Sequence, residues 1–261
     1  MTTTQQKIEK IKANGLELDF GTVFNDAFEN YKKIALYAGS IILVFSVLMG
    51  MLLAGGFVLT FGMAALAQMA NPENLALENL VGINLFIYLV SLILISLLIG
   101  PFFAGFIKMA QAADRDEAFN SSAIFTYYKA PYFIKIITAT LIISISNAVL
   151  STLFNYINLP LLGSFSSICI SIFTLLTIPL IIFGNLNPTE AITASIQLVL
   201  KNPFVIVALI VTAFIGSLVG FVGCCIGVFF TIPIMYALNY ALYKAIIGFD
   251  DPEQPEELPL V

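Results

Sequence analysis

The sequence predicts an all-α fold: a polytopic membrane helical bundle of about six transmembrane helices in three hairpins, each hairpin preceded by a cytoplasmic interfacial amphipathic helix. Three observations predict it. Hydrophobic residues make up 59% of the chain and charged residues 10%, against roughly 45–50% and about 25% in soluble domains. Only a bilayer takes up that much apolar surface without penalty. Six segments, 34–57, 80–107, 131–157, 161–183, 203–222 and 228–247, approach or exceed the roughly 20 apolar residues that a crossing helix needs. Finally, all Lys and Arg residues fall on one side of the series. Lys7, Lys10, Lys12, Lys32 and Lys33 precede the first segment, and Lys108, Arg115, Lys129 and Lys135 flank the gap between the second and third. Lys201 separates the fourth from the fifth, and Lys244 closes the sixth. Cationic loops stay on the cytoplasmic side during insertion, so both termini are expected inside, in a bacterial inner membrane.

The first 18 residues form a polar N-terminal segment, too polar for the apolar core of a cleavable signal. The first span is therefore expected to be its own insertion signal. Within 19–33, Phe20, Val23, Phe24, Ala27, Phe28 and Tyr31 recur at helical spacing opposite Asn25, Asp26, Glu29, Asn30 and Lys32, which predicts an interfacial helix. The apolar run after Lys33 continues almost to Asn71. One helix of that length would measure about 55 Å, so a bend is expected at Gly55-Gly56, with 57–70 along or above the outer surface.

Two later segments repeat the interfacial theme. In 121–129 the apolar positions are Ile124, Phe125 and Tyr128. Asn187-Pro188-Thr189-Glu190 supplies an N-cap, a first-position proline and a third-position acid. Ala191, Ile192, Ser195, Ile196, Val199 and Leu200 should then make the apolar stripe, against Thr193, Gln197 and Lys201.

An internal repeat follows from these positions. Glu117-Ala118 leads to Lys129-Ala130-Pro131-Tyr132, and Glu190-Ala191 to Lys201-Asn202-Pro203-Phe204, with a weaker copy at Phe28-Glu29-Asn30-Tyr31-Lys32. Each copy runs into a hairpin whose second helix carries a proline: Pro101, Pro179 and Pro233. The units span about 19–107, 117–184 and 188–248 of a membrane domain covering 19–248. The tail, 249–261, carries Asp250, Asp251, Glu253, Glu256 and Glu257 among three prolines and is expected to be disordered.

Candidate functional residues are few. Each of the three prolines removes a backbone hydrogen bond and frees a carbonyl one turn earlier. They either open a cytoplasm-facing vestibule or kink packed helices, the commoner outcome. Tyr236, Asn239, Tyr240 and Tyr243 lie on adjoining faces of the last helix. They read as a polar pocket for a headgroup or amphiphile, or as an anchor belt at the interface. Pro101, Pro179, Pro233, Tyr236, Asn239, Tyr240 and Tyr243 are thus the candidate ligand vestibule. Ser91, Ser96, Ser144, Ser146, Asn84 and Asn147 should bond between helices. Gly216, Gly220, Gly223 and Gly227 should allow close backbone contact beside Cys224-Cys225.

Other chemistry is weakly supported. No Asp, Glu or Arg lies deep in a span, which weighs against ion-coupled transport. Histidine is absent, removing the usual general base and metal ligand, and the three cysteines lack metal-ligand spacing. Asp114, Asp116 and Glu117 with Arg115 read as a solvated loop rather than a catalytic cluster. No basic stripe remains for nucleic acid once the cytoplasmic lysines are explained.

The interfacial helix ending in Lys-x-Pro, the hairpin after it, and Cys224-Cys225-Ile226-Gly227 leading to Thr231-Ile232-Pro233 resemble a broad group of prokaryotic multi-pass membrane proteins of unknown function. That group includes the membrane domain that precedes a glycerophosphodiester phosphodiesterase in some bacteria. The similarity covers roughly 24–248. The phosphodiesterase domain itself has no counterpart here, so none of its activity carries over. Some proteins of this appearance are labelled carotenoid oxygenases, whose histidine-bound iron a chain without histidine cannot hold. The resemblance implies no catalytic residue and no cofactor. The expected function is a non-enzymatic membrane component that engages lipids or other membrane proteins. The alternative is an uncoupled transporter or exporter of a small amphiphile.

Overall fold

Proline opens four of the described helices, at Pro160, Pro188, Pro203 and Pro233. The computed structural model describes residues 3–61, 63, 83–117, 121–223 and 226–249. After a short polar helix α1 (Thr3–Asn14), helix α2 spans Phe20–Phe61, 42 residues without interruption. Asp19 starts α2, its Oδ1 accepting the Thr22 N–H at 2.7 Å, an N-cap interaction. The same bond holds the Asp19 carboxyl below its ordinary pKa. One expectation is corrected here. The amphipathic stretch 19–33 is not a separate helix, because no Pro or Gly parts it from the first span. Gly55-Gly56 lies within the same helix, since a glycine pair costs propensity without removing an N–H. Most of the expected outer stretch beyond Phe61 lies outside the described residues.

Helix α3 (Ile83–Asp114) runs through Pro101. A 3-10 helix at Ser121–Tyr128 then takes the place expected for the second interfacial helix. Helix α4 (Tyr132–Tyr156) returns, and the hairpin closes through Asn158 at positive φ (59°) into α5 (Pro160–Phe173). A turn at 174–176 separates α5 from the short α6 (Thr177–Ile182). Helix α7 (Pro188–Lys201) begins with the predicted cap: the Asn187 N–H donates to Glu190 Oε2 at 3.2 Å, and the reciprocal bond completes the capping box. Next come α8 (Pro203–Leu218), a 3-10 turn at Val219–Gly223, α9 (Gly227–Thr231) and α10 (Pro233–Ile246). The described residues contain no strand, and the fold is an all-α helical bundle.

Among the described residues, five helical stretches are long and apolar enough to cross a membrane: Phe20–Gly56, Leu89–Asp114, Tyr132–Tyr156, Pro160–Ile182 and Pro203–Gly223. The sixth predicted segment, 228–247, is divided at Ile232 into α9 and α10, neither of which reaches that length alone. The chain has the make-up of a multi-pass membrane protein.

Burial is uneven along the spans. Ile34, Ala38, Phe102, Phe106, Ile107, Ile124, Leu180, Leu198 and Leu238 pack in one core near the lysine-bearing ends. Further along the same helices Leu48, Met51, Leu59, Phe86, Val149, Phe165 and Phe214 are exposed. The proline-bearing second helices α3, α6 and α10 all touch one another at the centre, and α2 lies along α10.

Close helix approaches occur at glycine. A Cβ on Gly105 would sit 2.6 Å from Ile124 Cα, so this residue admits the 3-10 helix against α3. A Cβ on Gly39 would lie 2.8 Å from Phe230 Cα, and Gly220 and Gly227 meet backbone to backbone. Of the predicted glycine series, only these last two make that contact: Gly216 meets the Ile234 side chain and Gly223 has open space around it.

Candidate functional site

Helix α10 carries four of the seven predicted site residues besides Pro233 at its start, and α2, α3, α6 and α8 pack against it. Pro233 is its first residue, where a missing N–H costs nothing. The break that Pro233 imposes is met from outside: the Tyr31 hydroxyl donates to Phe230 O at 3.2 Å. The break before α6 has a similar repair. Ser195, fully buried on α7, donates to Phe173 O at 2.7 Å and accepts the Leu176 N–H at 3.1 Å. Thr231 adds a third bond of this kind, donating to Ser217 O at 2.6 Å.

The sequence-predicted site residues come together, but as packing rather than as the wall of an opening. Pro101, Pro179 and Pro233 are buried, as are Tyr240 and Tyr243. The Tyr236 ring stacks on Phe106 at 5.1 Å and lies 5.4 Å from Phe103. Tyr240 donates its hydroxyl to Asp114 Oδ2 at 2.8 Å, and Lys244 binds both oxygens of that carboxylate at 2.8 and 2.9 Å. The aromatic residues of α10 therefore face the interior, and the anchor-belt expectation does not describe them. The reason is positional: α10 sits at the centre, where an interfacial face does not exist. Asn239 is partly buried, and its Oδ1 has no hydrogen-bond partner.

Phe249 completes the inner end. Its ring lies 5.4 Å from Phe183, 5.8 Å from Tyr240 and 5.4 Å from Tyr243, with the Arg115 guanidinium 5.4 Å above it. The tail expected to be disordered from 249 onward thus gives its first residue to the fold; 250–261 lie outside the described residues.

The charged groups nearby are paired. Lys33 reaches Ala113 O at 2.9 Å and Asp116 Oδ1 at 2.5 Å, and Lys135 binds Asn185 through its side-chain and backbone oxygens. Residues 115–117 are exposed, Asp116 at 83%, and form the solvated loop that their composition suggests, while Asp114 at the end of α3 is held by Tyr240 and Lys244. Among the described residues no group of acids, histidines or cysteines could hold a metal. In the 3-10 helix, burial pushes the Tyr127 phenol well above its ordinary pKa, reinforced by Tyr132 beside it.

Other expectations shift in detail. Helix α7 buries Ala191, Ala194, Ser195, Leu198 and Val199, whereas Leu200 is 57% exposed. Its inner face is rotated from the predicted stripe because α6 and α1 bracket it on two sides. Ser146 bonds back to Ile142 O in its own helix rather than across to another, and Asn147 Oδ1 is buried without a partner. The Asn84 side chain and Cys224-Cys225 lie outside what is described.

Sequence reasoning missed Asp114, Ser195, Tyr31 and Phe249 as partners. Asp114 and Tyr240 are separated by 126 residues, and no local spacing encodes such a pairing. Compared with protein-family models, with curated proteins and with solved structures, the chain finds no match in any of the three.

Proposed function

We propose that the chain is a non-enzymatic component of a bacterial inner membrane, with both termini in the cytoplasm, whose work is to engage lipids or other membrane proteins. The observation that carries this reading is the filling of the inner end. The residues best suited to line a passage, Tyr236 and Tyr240, are occupied by Phe103, Phe106, Phe183, Phe249 and Asp114. Apolar side chains remain exposed along the outer parts of α2, α3, α4 and α8, surface suited to lipid tails or to the helices of a partner. The one-sided lysines support the assigned orientation.

Purification from native membranes in a lipid-preserving polymer tests the proposal, with bound lipids and proteins identified by mass spectrometry. Defined lipids or a stoichiometric membrane protein are expected to co-purify. Protein-dependent efflux of an amphiphilic dye from reconstituted vesicles, with no retained lipid or partner, would refute it in favour of transport.

A further inference from the structure

An apolar groove runs along α2 beside α3. Tyr37, Ser40, Val44 and Leu48 line it at the three- and four-residue spacing of one helix face. Phe102 of α3 and Phe125 of the 3-10 helix contribute the other side, and its volume is about 350 Å³. Phe45, also in the lining, stacks on Phe102 at 4.2 Å and joins the two helices there. From Tyr37 to Leu48 the helix advances about 16 Å, at about 1.5 Å per residue. That is roughly half of the 30 Å hydrocarbon core, the depth of one leaflet. Spread over this length, the volume leaves a cross-section of about 20 Å², against about 80 Å² for a helix about 10 Å across. A single polymethylene chain fits such a space; the backbone of a partner helix does not.

One turn before Tyr37, on the same face of α2, stands Lys33. Its ammonium donates to Ala113 O at 2.9 Å and to Asp116 Oδ1 at 2.5 Å, which uses two of its three N–H groups. The Lys33 and Asp116 side chains are 46% and 83% exposed, so water screens the pair and the third N–H is open to a phosphate oxygen. The groove thus joins an apolar trough of one leaflet's depth to a cation at its lysine-bearing end, the same division of apolar chain and anionic phosphate that a phospholipid has.

We propose that this groove holds one acyl chain of a phospholipid from the cytoplasmic leaflet, with the lipid phosphate received by Lys33. The assignment rests on the lipid-engaging function proposed above and gives it a place and a ligand class.

The chain has no tryptophan, so Phe125→Trp supplies a single fluorescent reporter in the groove lining. Phe214→Trp on α8, at a position of similar exposure (55% against 52%), reports on an apolar surface outside the groove. The full-length protein, delipidated in dodecyl maltoside, is titrated with phosphatidylglycerol carrying brominated acyl chains. Quenching at Phe125→Trp should saturate at about one lipid per chain, as a single site requires, whereas Phe214→Trp should follow only the lipid fraction of the micelle. Lys33→Gln should weaken the saturating step about three- to fivefold, as for a half-exposed ion pair. Val44→Phe, which displaces roughly two methylenes from the groove, should weaken it about tenfold. A Phe125→Trp titration as shallow as that of Phe214→Trp would overturn the proposal, and so would an affinity that either substitution leaves unchanged. The comparison of the two reporters stays decisive should a substituted protein fail to fold. Lipid retained from native membranes alongside an unsaturable titration would strike the groove alone; dye efflux alongside a saturating titration would strike the proposed function alone.

Discussion

Ser195→Ala tests how the break between α5 and α6 is held. The hydroxyl satisfies two backbone groups at once, Phe173 O at 2.7 Å and Leu176 N–H at 3.1 Å, on a side chain with no exposure. Alanine removes both bonds while the turn around 174–176 stays committed elsewhere: Leu175 N–H already serves Ile172 O, and Thr177 N–H serves Thr174 O. A buried unsatisfied group costs about 1–3 kcal/mol, and an orphaned carbonyl less than an orphaned N–H. The substitution should therefore destabilise by roughly 2–4 kcal/mol. Ser171→Ala is the control, because Ser171 is exposed and bonds back to Ser167 O within its own helix at 3.0 Å; its loss should change stability by less than about 0.5 kcal/mol. Equilibrium unfolding in mixed micelles titrated with dodecyl sulfate measures both. If Ser195→Ala falls within about 0.5 kcal/mol of Ser171→Ala, the freed groups have re-paired as ordinary helix and the stitching argument fails.

Three further outcomes follow from the same geometry. Gly105→Ala should destabilise by about 1–3 kcal/mol or more, since its Cβ would meet the Ile124 backbone, while Gly50→Ala, with nothing within 4 Å, should be neutral or stabilising in the same unfolding assay. A double-mutant cycle on Asp114→Ala and Lys244→Ala should give a coupling of about 1 kcal/mol or less, because solvent still reaches both side chains (27% and 38% exposed) and screens them. The folded-state pKa of Asp19 is depressed by the Thr22 N–H, so its contribution is present above the unfolded value of about 3.8 and is lost as pH falls through the lower folded value. Thr22 amide exchange, corrected for the intrinsic pH dependence, should lose protection in that acid window, and Asp19→Asn should abolish the dependence.

Much of the architecture can be read directly from residues whose effect is local. The Asn187-Pro188-Thr189-Glu190 cap forms where it is expected because every group in it lies within one turn. Pro203 opens α8 and Pro160 opens α5 for the same reason. Sequence and structure part where a local signal has to compete with context. Gly55-Gly56 lowers helix propensity, yet α2 continues through it to Phe61. Hydrophobicity places the α7 stripe, yet Ala194 and Leu198 are buried and Leu200 is left out, in a helix with α1, α4, α5 and α6 all against it. The tyrosines of α10 look interfacial in sequence because their neighbours are Lys244 and the chain end. Only the position of α10 among α2, α3, α6 and α8 puts them inside. No periodicity could pair Asp114 with Tyr240 and Lys244, or Tyr31 with Phe230.

That division has a physical origin in the solvent. Among hydrocarbon tails, exchanging a lipid contact for a leucine contact gains little, so apolar burial cannot select one helix arrangement over another as it does in water. Selection then falls to groups that hydrocarbon cannot satisfy and to places where backbones can approach closely. In this chain the first kind are the carbonyls and N–H groups exposed by helix breaks, met by Ser195, Tyr31 and Thr231. The second kind are Gly39, Gly105 and the Gly220–Gly227 contact. Each joins segments that are not neighbours along one helix, and each involves a residue type too common to stand out in the one-dimensional pattern. The apolar periodicity announces the membrane, while a handful of hydroxyls and glycines determine which helices meet within it.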